Sequence, residues 1–413
     1  MNHVIIGNGG AGIRAAEVIR SRDAEAGITI IDEEPYRCYY RMMLPDFISG
    51  WKELDAVFTV PESYYSDKRI EFLPSSRVSN LQPASRTVKL VDGRELAYDR
   101  LLIATGAHPR KLEVPGADLD GVVTLRTLDD ALGIMERCKA TRSAVTLGGG
   151  LLGVELARCF NERGLASHYL IREDRFWPQM LDAAGSGIVE RLLGKKGMML
   201  ATEETISEIK GENGKVAGVV TSRGREIEAQ LVGISVGVTP RLDFLEGSGL
   251  EANLGIRVDD HMRGNIPEIF AAGDVAEAYD VVHNEHRINT SYMNARRQGE
   301  VAGANMAGGD EAQGGTIPFN LIRIYGLSVT CMGLSLPPDE GYDVFTGPFP
   351  EGDQYKKLVL KDDVLVGATL IGDVKEATKL EELIKKGVKV TEGKEKLMNG
   401  DFDLSEMVKK STG

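Results

Sequence analysis

Residues 4–32, VIIGNGGAGIRAAEVIRSRDAEAGITIID, decide how the N-terminal part of this chain folds. A short apolar run stops at Gly7, and Gly7, Gly9 and Gly12 form a G-x-G-x-x-G pattern that opens a helical stretch. A second apolar run then ends on Asp32, 20 residues beyond Gly12. A strand, a glycine turn, a helix and a second strand with an acidic tip are typical of a dinucleotide-binding unit.

The three glycines and the acid suit a dinucleotide for physical reasons. Gly7 makes the tight turn, Gly9 lets the backbone approach a pyrophosphate, and Gly12 lets the helix pack closely on the strand. The N-terminus of the helix offers unpaired N–H groups and a positive dipole to the phosphates, and Asp32 can accept hydrogen bonds from an adenosine ribose. The alternative is a purely structural turn, which the flanking strand, helix and acid disfavour.

The same unit recurs 141 residues later. The apolar strand 144–147 leads into Gly148, Gly150 and Gly153, and the helical stretch LLGVELARCFNERG and a strand at 168–171 follow. Chance produces two complete units far less readily than one, so the sequence predicts two bound dinucleotides.

Two features of the second unit concern its ligand. Glu155 lies on the first turn of the helix, where a carboxylate repels phosphate; it either faces another part of the ligand or only favours the helix dipole. The strand tip carries Arg172, Glu173 and Asp174. An acid there accepts from the free 2′-hydroxyl of NAD, whereas an arginine favours the 2′-phosphate of NADP. We predict NAD(H), with NADP(H) as the alternative.

Two further stretches predict sugar or phosphate contacts. Arg41, in a Tyr-Tyr-Arg cluster after the second strand, either pairs with a pyrophosphate or is a surface arginine. In IPEIFAAGDVAE the pattern predicts a strand that ends at Gly273 and Asp274 and a helix after it. Asp274 then either holds a sugar hydroxyl or caps that helix.

Composition narrows the class of protein. The net charge of −13 argues against nucleic acid or an anionic membrane as the main partner, and no apolar run reaches membrane-spanning length. The four cysteines are scattered without a C-x-x-C pair, so we expect neither a metal site nor a sequence-adjacent redox pair. Isolated thiols and no signal-like N-terminal segment predict a soluble, cytoplasmic protein.

The chain resembles, along essentially its whole length, flavoproteins that have two dinucleotide-binding domains and a C-terminal interface domain. The resemblance is carried by VIIGNGGAG, EEPYRCYYR, LLIATGAHP, GGGLLGVELA, IFAAGDVAE, NARRQGEVAGANMAG and LVGATLIGDVKEA. These flavoproteins include rubredoxin and ferredoxin reductases, the flavin portion of NADH-dependent nitrite reductase and NADH oxidases. They also include the FAD subunits of phenylglyoxylate dehydrogenase and of tungsten aldehyde oxidoreductase complexes.

The resemblance implies an α/β fold of two Rossmann-like domains plus a C-terminal α+β interface domain. Its expected parts are an FAD-binding domain in two pieces (residues 1–112 and 237–312), an NAD(P)-binding domain (113–236) and the interface domain (313–413). The residues implied to hold FAD are Gly7, Gly9, Gly12, Asp32 (or Glu33), Arg41, Ala104, Thr105, Gly106, Gly273 and Asp274. Those implied to hold the nicotinamide nucleotide are Gly148, Gly150, Gly153 and Glu155. No side chain is expected to do acid–base or nucleophilic work, because hydride passes directly from nicotinamide to flavin.

Two departures from the family pattern matter. Met42 stands where the oxidase and peroxidase branch has a redox cysteine, so we expect no thiol chemistry. Asp46 stands near the position where many ferredoxin reductases have lysine, so a charge pair with Glu155 is not expected here.

We therefore predict an FAD-dependent NAD(P)H:acceptor oxidoreductase, the electron-transfer component of a larger system with an iron–sulfur protein partner. A stand-alone NADH oxidase and a non-enzymatic redox-sensing module are the alternatives, and both homo-oligomers and hetero-complexes stay open. The C-terminal domain is the expected docking surface, with Phe345, Phe349 and Tyr355 as candidates; the alternative is a lid on the flavin pocket.

Overall fold

The computed structural model describes residues 1–347, 352–390 and 394–399 of the chain. Its strands are β1 (Asn2–Ile6), β2 (Gly27–Ile31), β3 (Glu71–Leu73), β4 (Val78–Gln82), β5 (Thr87–Leu90), β6 (Glu95–Ala97), β7 (Arg100–Ile103), β8 (Ala107–Pro109), β9 (Val122–Val123), β10 (Ser143–Leu147), β11 (Ala166–Leu170), β12 (Met199–Ala201), β13 (Ile206–Glu212), β14 (Lys215–Thr221), β15 (Glu226–Glu228), β16 (Leu231–Ile234), β17 (Val238–Pro240), β18 (Ile256–Arg257), β19 (Ile269–Ala271), β20 (Ala276–Asp280), β21 (Glu285–Arg287), β22 (Phe319–Ile324), β23 (Leu327–Gly333), β24 (Asp343–Thr346), β25 (Tyr355–Lys361) and β26 (Val364–Ile371).

The α-helices are α1 (Gly10–Arg22), α2 (Leu44–Ser49), α3 (Tyr64–Asp67), α4 (Leu128–Cys138), α5 (Leu151–Glu162), α6 (Ala183–Lys195), α7 (Tyr292–Met306), α8 (Ala377–Lys386) and α9 (Lys394–Asn399). The chain forms two compact units. The first unit contains Met1–Tyr40, Phe58–His108 and Thr239–Phe319; the second contains Arg41–Val57, Pro109–Val238 and the described residues from Asn320 onward. The finer four-part division given above stays a prediction.

Each unit is built on a five-stranded parallel sheet, and the two sheets correspond in four of their five strands. The first unit has β3-β2-β1-β7-β19, and the second has β12-β11-β10-β16-β9. The central strand of each sheet, β1 or β10, is the one that leads into a glycine motif. An antiparallel three-stranded sheet (β4-β5-β6 or β13-β14-β15) follows β3 or β12 in the corresponding place. The fifth strand differs, because β19 comes after β7 in the chain whereas β9 comes before β10. The recurrence seen in the sequence therefore extends over four strands of each sheet.

Helix α7 of the first unit packs against α1 through small residues. A Cβ at Gly299 would lie 2.3 Å from the carbonyl oxygen of Ala11, and one at Gly303 would lie 2.6 Å from that of Ala15. Only glycine permits such an approach. Its partner is α1, which places α7 beside the helix that follows the first glycine turn.

The prediction of a helix after Asp274 is wrong. The chain instead forms strand β20, which pairs in parallel with β18 and antiparallel with β21. The buried Asp280 ends the strand by accepting hydrogen bonds from the backbone N–H groups of Val282 and His283. Strand pairing overrides the helix propensity of the alanines here. Asp274 therefore has no helix to cap, and the capping alternative is wrong as well.

The C-terminal part is a five-stranded sheet in the order β22-β23-β26-β25-β24, with antiparallel pairing from β23 through β24. Strands β25 and β26 form a hairpin, and its turn has Asp362 and Asp363 at positive φ. Residues of this sheet such as Ile322 and Ile371 share one buried core with Trp177 and Leu193 of the second unit.

Candidate functional site

The first glycine turn follows β1 and has one role for each glycine. Gly7 has φ +115°, and a Cβ there would lie 2.2 Å from the carbonyl oxygen of Ala104. A Cβ at Gly12 would lie 2.0 Å from the carbonyl oxygen of Gly7, so this glycine sets how closely α1 approaches the strand. A Cβ at Gly9 would meet nothing within 4 Å. Side chains at Gly7 and Gly12 would therefore clash with the backbone, whereas the space beside Gly9 is open to a ligand.

The second glycine turn repeats this geometry. Gly148 has φ +136°, and its Cβ would lie 2.0 Å from the carbonyl oxygen of Ser235. A Cβ at Gly153 would lie 1.9 Å from the carbonyl oxygen of Gly148, whereas one at Gly150 would meet nothing within 4 Å. Gly9 and Gly150 are the N-caps of α1 and α5, so each open space lies at the start of a helix. Such a start binds a pyrophosphate through backbone N–H groups and the helix dipole.

Asp32 is the acid that the structure brings to the first turn. Its Oδ2 accepts a hydrogen bond from the backbone N–H of Asn8 at 2.6 Å. The alternative acid, Glu33, is exposed and forms an ion pair with Arg241. Asp32 is therefore better placed than Glu33 for an adenosine ribose.

Glu173 has the equivalent place in the second unit. Its Oε2 lies 3.3 Å from the position of a Cβ at Gly149, the residue that corresponds to Asn8. Arg172 is mostly exposed, and its Nη2 lies 2.8 Å from Oε1 of Glu173. The sequence held a signal that singles out Glu173: it follows Gly153 by 20 residues, as Asp32 follows Gly12. The acid thus faces the turn, and the arginine is held by that acid.

The other residues expected to contact FAD in the first unit lie at the carboxyl ends of β7 and β19. Ala104, Thr105 and Gly106 follow β7 directly, and Thr105 Oγ1 donates to the carbonyl oxygen of Arg241 at 3.4 Å. Gly273 follows β19, and its N–H donates to Oε1 of Gln298 at 2.7 Å; Asp274 beside it is half-buried. Because β7 and β19 are adjacent parallel strands, these groups meet at the same edge of the sheet as the glycine turn.

Arg41 and the first glycine turn belong to different units. Arg41 belongs to the second unit, where its Nη1 donates to the carbonyl oxygen of Arg126 at 3.0 Å. Its contact with a pyrophosphate stays a prediction.

Glu155 interacts electrostatically with Asp46 and Arg158. The sequence singled out Glu155 and Asp46 but not Arg158. The guanidinium of Arg158 is buried and lies 2.8 Å from Asp46 and 3.2 Å from Glu162. Burial raises the pKa of Glu155 to about 7; Arg158 opposes this shift and the charge of Asp46 adds to it. Asp46 therefore pairs with Arg158, and the carboxyl of Glu155 titrates near neutral pH.

The cysteines offer no reactive thiol pair. None of the four forms a disulfide, and all are buried. Burial raises the pKa of Cys138, and it raises those of Cys159 and Cys331 to about 12, so these thiols stay protonated. Met42, at the position of the expected family thiol, is exposed. Among the described residues, no three His, Cys, Asp or Glu side chains gather as metal ligands.

The C-terminal candidates for docking differ in exposure. Tyr355 is buried, and its hydroxyl donates to Asp182 at 2.5 Å. The prediction that it contacts a partner protein is therefore wrong. Phe345 is half-buried and its neighbour Val344 is 46% exposed, whereas Phe349 lies outside the described residues. No helix that the structure describes has the length and apolar character needed to cross a membrane.

Two parallel sheets with four corresponding strands, each with an open glycine turn and an acid beside it, define a protein that binds two dinucleotides. Comparison with known proteins identifies the family. The family model for pyridine nucleotide-disulphide oxidoreductases matches residues 1–299, and that for the rubredoxin NAD+ reductase C-terminal domain matches residues 318–388. The chain belongs to the pyridine nucleotide-disulphide oxidoreductase family, and it is an oxidoreductase that binds FAD and NAD(H).

Individual relatives agree with this assignment. The chain is 32% identical to the NADH-rubredoxin oxidoreductase of Clostridium acetobutylicum over 92% of this chain and 93% of that protein. It is 28% identical to subunit epsilon of the NADH-dependent phenylglyoxylate dehydrogenase of Aromatoleum evansii, over 88% and 87% of the two chains. The crystal structure of NADH:rubredoxin oxidoreductase from C. acetobutylicum is 30% identical, with a TM-score of 0.79 over 97% of this chain and 99% of that one. The expected fold class is confirmed.

Proposed function

We propose that this protein passes electrons between NAD(H) and an iron–sulfur protein partner, as the electron-transfer component of a larger system. The observation that carries the proposal is the repeated glycine turn, open at Gly9 in one unit and at Gly150 in the other. Relatives named as rubredoxin reductases and as a subunit of a dehydrogenase complex support the protein partner.

The residues of the first unit fit FAD. The N-terminus of α1 and the open space at Gly9 receive the pyrophosphate, Asp32 accepts from the adenosine ribose, and Asp274 accepts from the ribityl chain. Bound FAD supplies the redox chemistry, because it exchanges a hydride with NAD(H) and can release electrons singly. The chain itself positions the group and contributes charge; no side chain is assigned a catalytic role.

The residues of the second unit fit NAD(H) rather than NADP(H). Glu173 flanks the turn as an acceptor for a 2′-hydroxyl, and a 2′-phosphate there would meet its negative charge. Arg172, the residue that would favour that phosphate, has its Nη2 in an ion pair with Glu173. The preference for NAD(H) is therefore proposed on the position of one carboxylate.

The domain division is proposed as the sequence predicts it: FAD-binding residues 1–112 and 237–312, NAD-binding residues 113–236 and interface residues 313–413. We also propose a cytoplasmic location, because four cysteines outside any disulfide suit a reducing compartment.

The experiment is steady-state turnover with NADH and three acceptors: a rubredoxin, a [2Fe–2S] ferredoxin and oxygen. The proposal predicts reduction of an iron–sulfur protein and slow oxygen consumption. Rapid oxygen consumption without reduction of either protein would identify an NADH oxidase instead. A protein that binds both nucleotides but turns over with none of the acceptors would be a redox-sensing module.

A further inference from the structure

Segment 176–182, with the sequence FWPQMLD, connects the strand tip that carries Glu173 to helix α6. The backbone N–H of Trp177 in this segment donates to the carbonyl oxygen of Gly149 at 2.9 Å. Gly149 lies in the second glycine turn, next to the open position at Gly150. The segment therefore contacts the turn in which the pyrophosphate of the coenzyme is proposed to bind.

The start of the segment is held in an unusual conformation. Trp177 has φ +50°, in the left-handed region that bulky residues rarely adopt. Such a conformation persists only where the surroundings hold it in place. The backbone N–H of Phe176 donates to Oε1 of Glu190 at 2.8 Å, and the carbonyl oxygen of Phe176 accepts from Oγ of Ser186 at 2.6 Å. Since both partners lie on α6, this helix fixes the start of the segment.

The end of the segment is held by the C-terminal sheet. Oγ of Ser335, two residues after β23, donates to the carbonyl oxygen of Met180 at 2.8 Å. Oδ2 of Asp182 accepts from the hydroxyl of Tyr355 at 2.5 Å and from Nζ of Lys357 at 2.6 Å. Both of these donors lie on β25. Because Lys357 is only 2% exposed, water compensates its charge poorly, and its ion pair with Asp182 is needed.

The carboxylate of Asp182 depends on these donors. Burial alone would raise the pKa of Asp182, but hydrogen bonds from Lys357, Tyr355 and the backbone N–H of Gly185 outweigh burial and lower it. Without Lys357 the half-buried carboxylate loses its positive partner, which favours its movement toward water. Asp182 is the last residue of the segment, so such a movement would loosen the segment as well.

We propose that Lys357 and Tyr355 are positioning residues for NAD(H), because they hold segment 176–182 against the second glycine turn through Asp182. The C-terminal sheet then contributes to coenzyme affinity, in addition to the docking role expected for it. The inference rests on the proposed binding of NAD(H) by the second unit.

The first test measures Kd for NAD+ on the oxidised, FAD-loaded protein, with the flavin spectrum and circular dichroism as checks on folding. Lys357→Met should raise this Kd at least about fivefold, the lower end of usual couplings between distant sites. Tyr355→Phe keeps the ring in the core and removes one hydrogen bond, so it should raise Kd about threefold. The rate of flavin reduction at saturating NADH should stay within about twofold of the wild type in both variants, because bound coenzyme restores the turn.

The second test follows the contact with the glycine turn itself. The amide of Trp177 donates to Gly149, so its hydrogen exchange reports whether the segment stays in place. In Lys357→Met this amide should exchange at least about fivefold faster than in the wild type, while amides of α1 should exchange as before.

Lys356→Met is the matched control. Lys356 is the neighbouring lysine on β25, but its ion pair, at 2.5 Å, is with Glu376 just before α8. It should leave both Kd for NAD+ and exchange at Trp177 unchanged.

The outcomes separate the inference from the function on which it rests. Wild-type Kd values in both Lys357→Met and Tyr355→Phe would overturn the inference while leaving the proposed function intact. Equal losses of affinity in Lys356→Met and Lys357→Met would also overturn it, because any weakening of the sheet would then suffice. A wild type that binds neither NAD+ nor NADH would instead refute the proposed function.

Discussion

Replacing the open glycine of each turn by valine should separate the two nucleotide sites. Gly9 has φ −86° and ψ −171°, and Gly150 has φ −96° and ψ −173°, which are extended conformations that valine adopts without strain. No atom lies within 4 Å of either Cβ position, so the added side chain enters the space where a pyrophosphate approaches. Gly9→Val should lose FAD, and Gly150→Val should keep FAD but lose NAD(H).

The expected loss of nucleotide-binding free energy is larger than the expected loss of folding free energy, so the two effects can be measured separately. A charged hydrogen bond from a backbone N–H contributes about 1.5–3 kcal/mol, so losing two of them weakens nucleotide binding by at least roughly 100-fold. The cost to the free energy of folding should be about 1 kcal/mol, the usual effect of losing a favourable N-cap residue. Gly12→Ala is the contrasting variant: its Cβ would lie 2.0 Å from the carbonyl oxygen of Gly7, so it should destabilise the fold itself.

The assay is equilibrium binding of FAD and of NAD+ to each purified variant, with circular dichroism to confirm the fold. The expected pattern is reciprocal, since each valine affects the nucleotide of its own unit. A folded Gly9→Val protein that binds FAD as tightly as the wild type would refute the assignment of the pyrophosphate to this turn. Loss of FAD in Gly150→Val with NAD+ binding retained would show that the two sites are exchanged.

Three further predictions concern the coenzyme, the thiols and the docking surface. The wild type should have a higher kcat/KM with NADH than with NADPH by at least about tenfold, and Glu173→Ala should narrow the difference because it frees Arg172; a wild-type preference for NADPH would mean that Arg172 decides the specificity. Single substitution by alanine of each cysteine should leave reduction of the flavin by NADH intact, and loss of that reduction in a folded, FAD-loaded Cys38→Ala variant would contradict the absence of thiol chemistry. Val344→Asp should slow electron transfer to the iron–sulfur partner but not reduction of the flavin, since a charge enters an exposed apolar position of the C-terminal sheet; equal transfer rates would place docking elsewhere.

The sequence predicts the two glycine turns because their local physics is complete in a short stretch. A strand, three glycines, a helix and an acid 20 residues on leave few alternatives, and both Asp32 and Glu173 lie against their turns. The spacing also identifies Glu173 when it is applied to the second unit. Local patterns of this kind do not depend on distant parts of the chain.

The features that the sequence did not predict depend on contacts between distant segments. Strand β20 forms because β18 and β21 are there to pair with it, although its alanines alone favour a helix. Tyr355 looks like an available aromatic residue, but Asp182, 173 residues earlier in the chain, accepts its hydrogen bond in the interior. Arg158 is an ordinary helical arginine in the sequence, and only the fold brings Asp46 to it.

Tyr355 and Lys357 both contact Asp182, and these contacts decide which variants can test the C-terminal sheet. Lys357 is buried and lies 2.6 Å from Asp182, so this sheet is joined to the rest of the second unit by an ion pair as well as by an apolar core. Deleting the sheet would leave Asp182 without its partner and would expose that core. Single surface substitutions such as Val344→Asp are therefore the better test of docking.

The central claim is that FAD in this protein exchanges electrons with NAD(H) bound through the second glycine turn. The most direct measurement is anaerobic mixing of the FAD-loaded wild type and Gly150→Val with NADH, following the visible absorbance of the flavin. We predict that NADH bleaches the wild type rapidly, whereas Gly150→Val stays oxidised until dithionite is added. Failure of NADH to bleach the FAD-loaded wild type, or equally fast bleaching of Gly150→Val, would contradict this account.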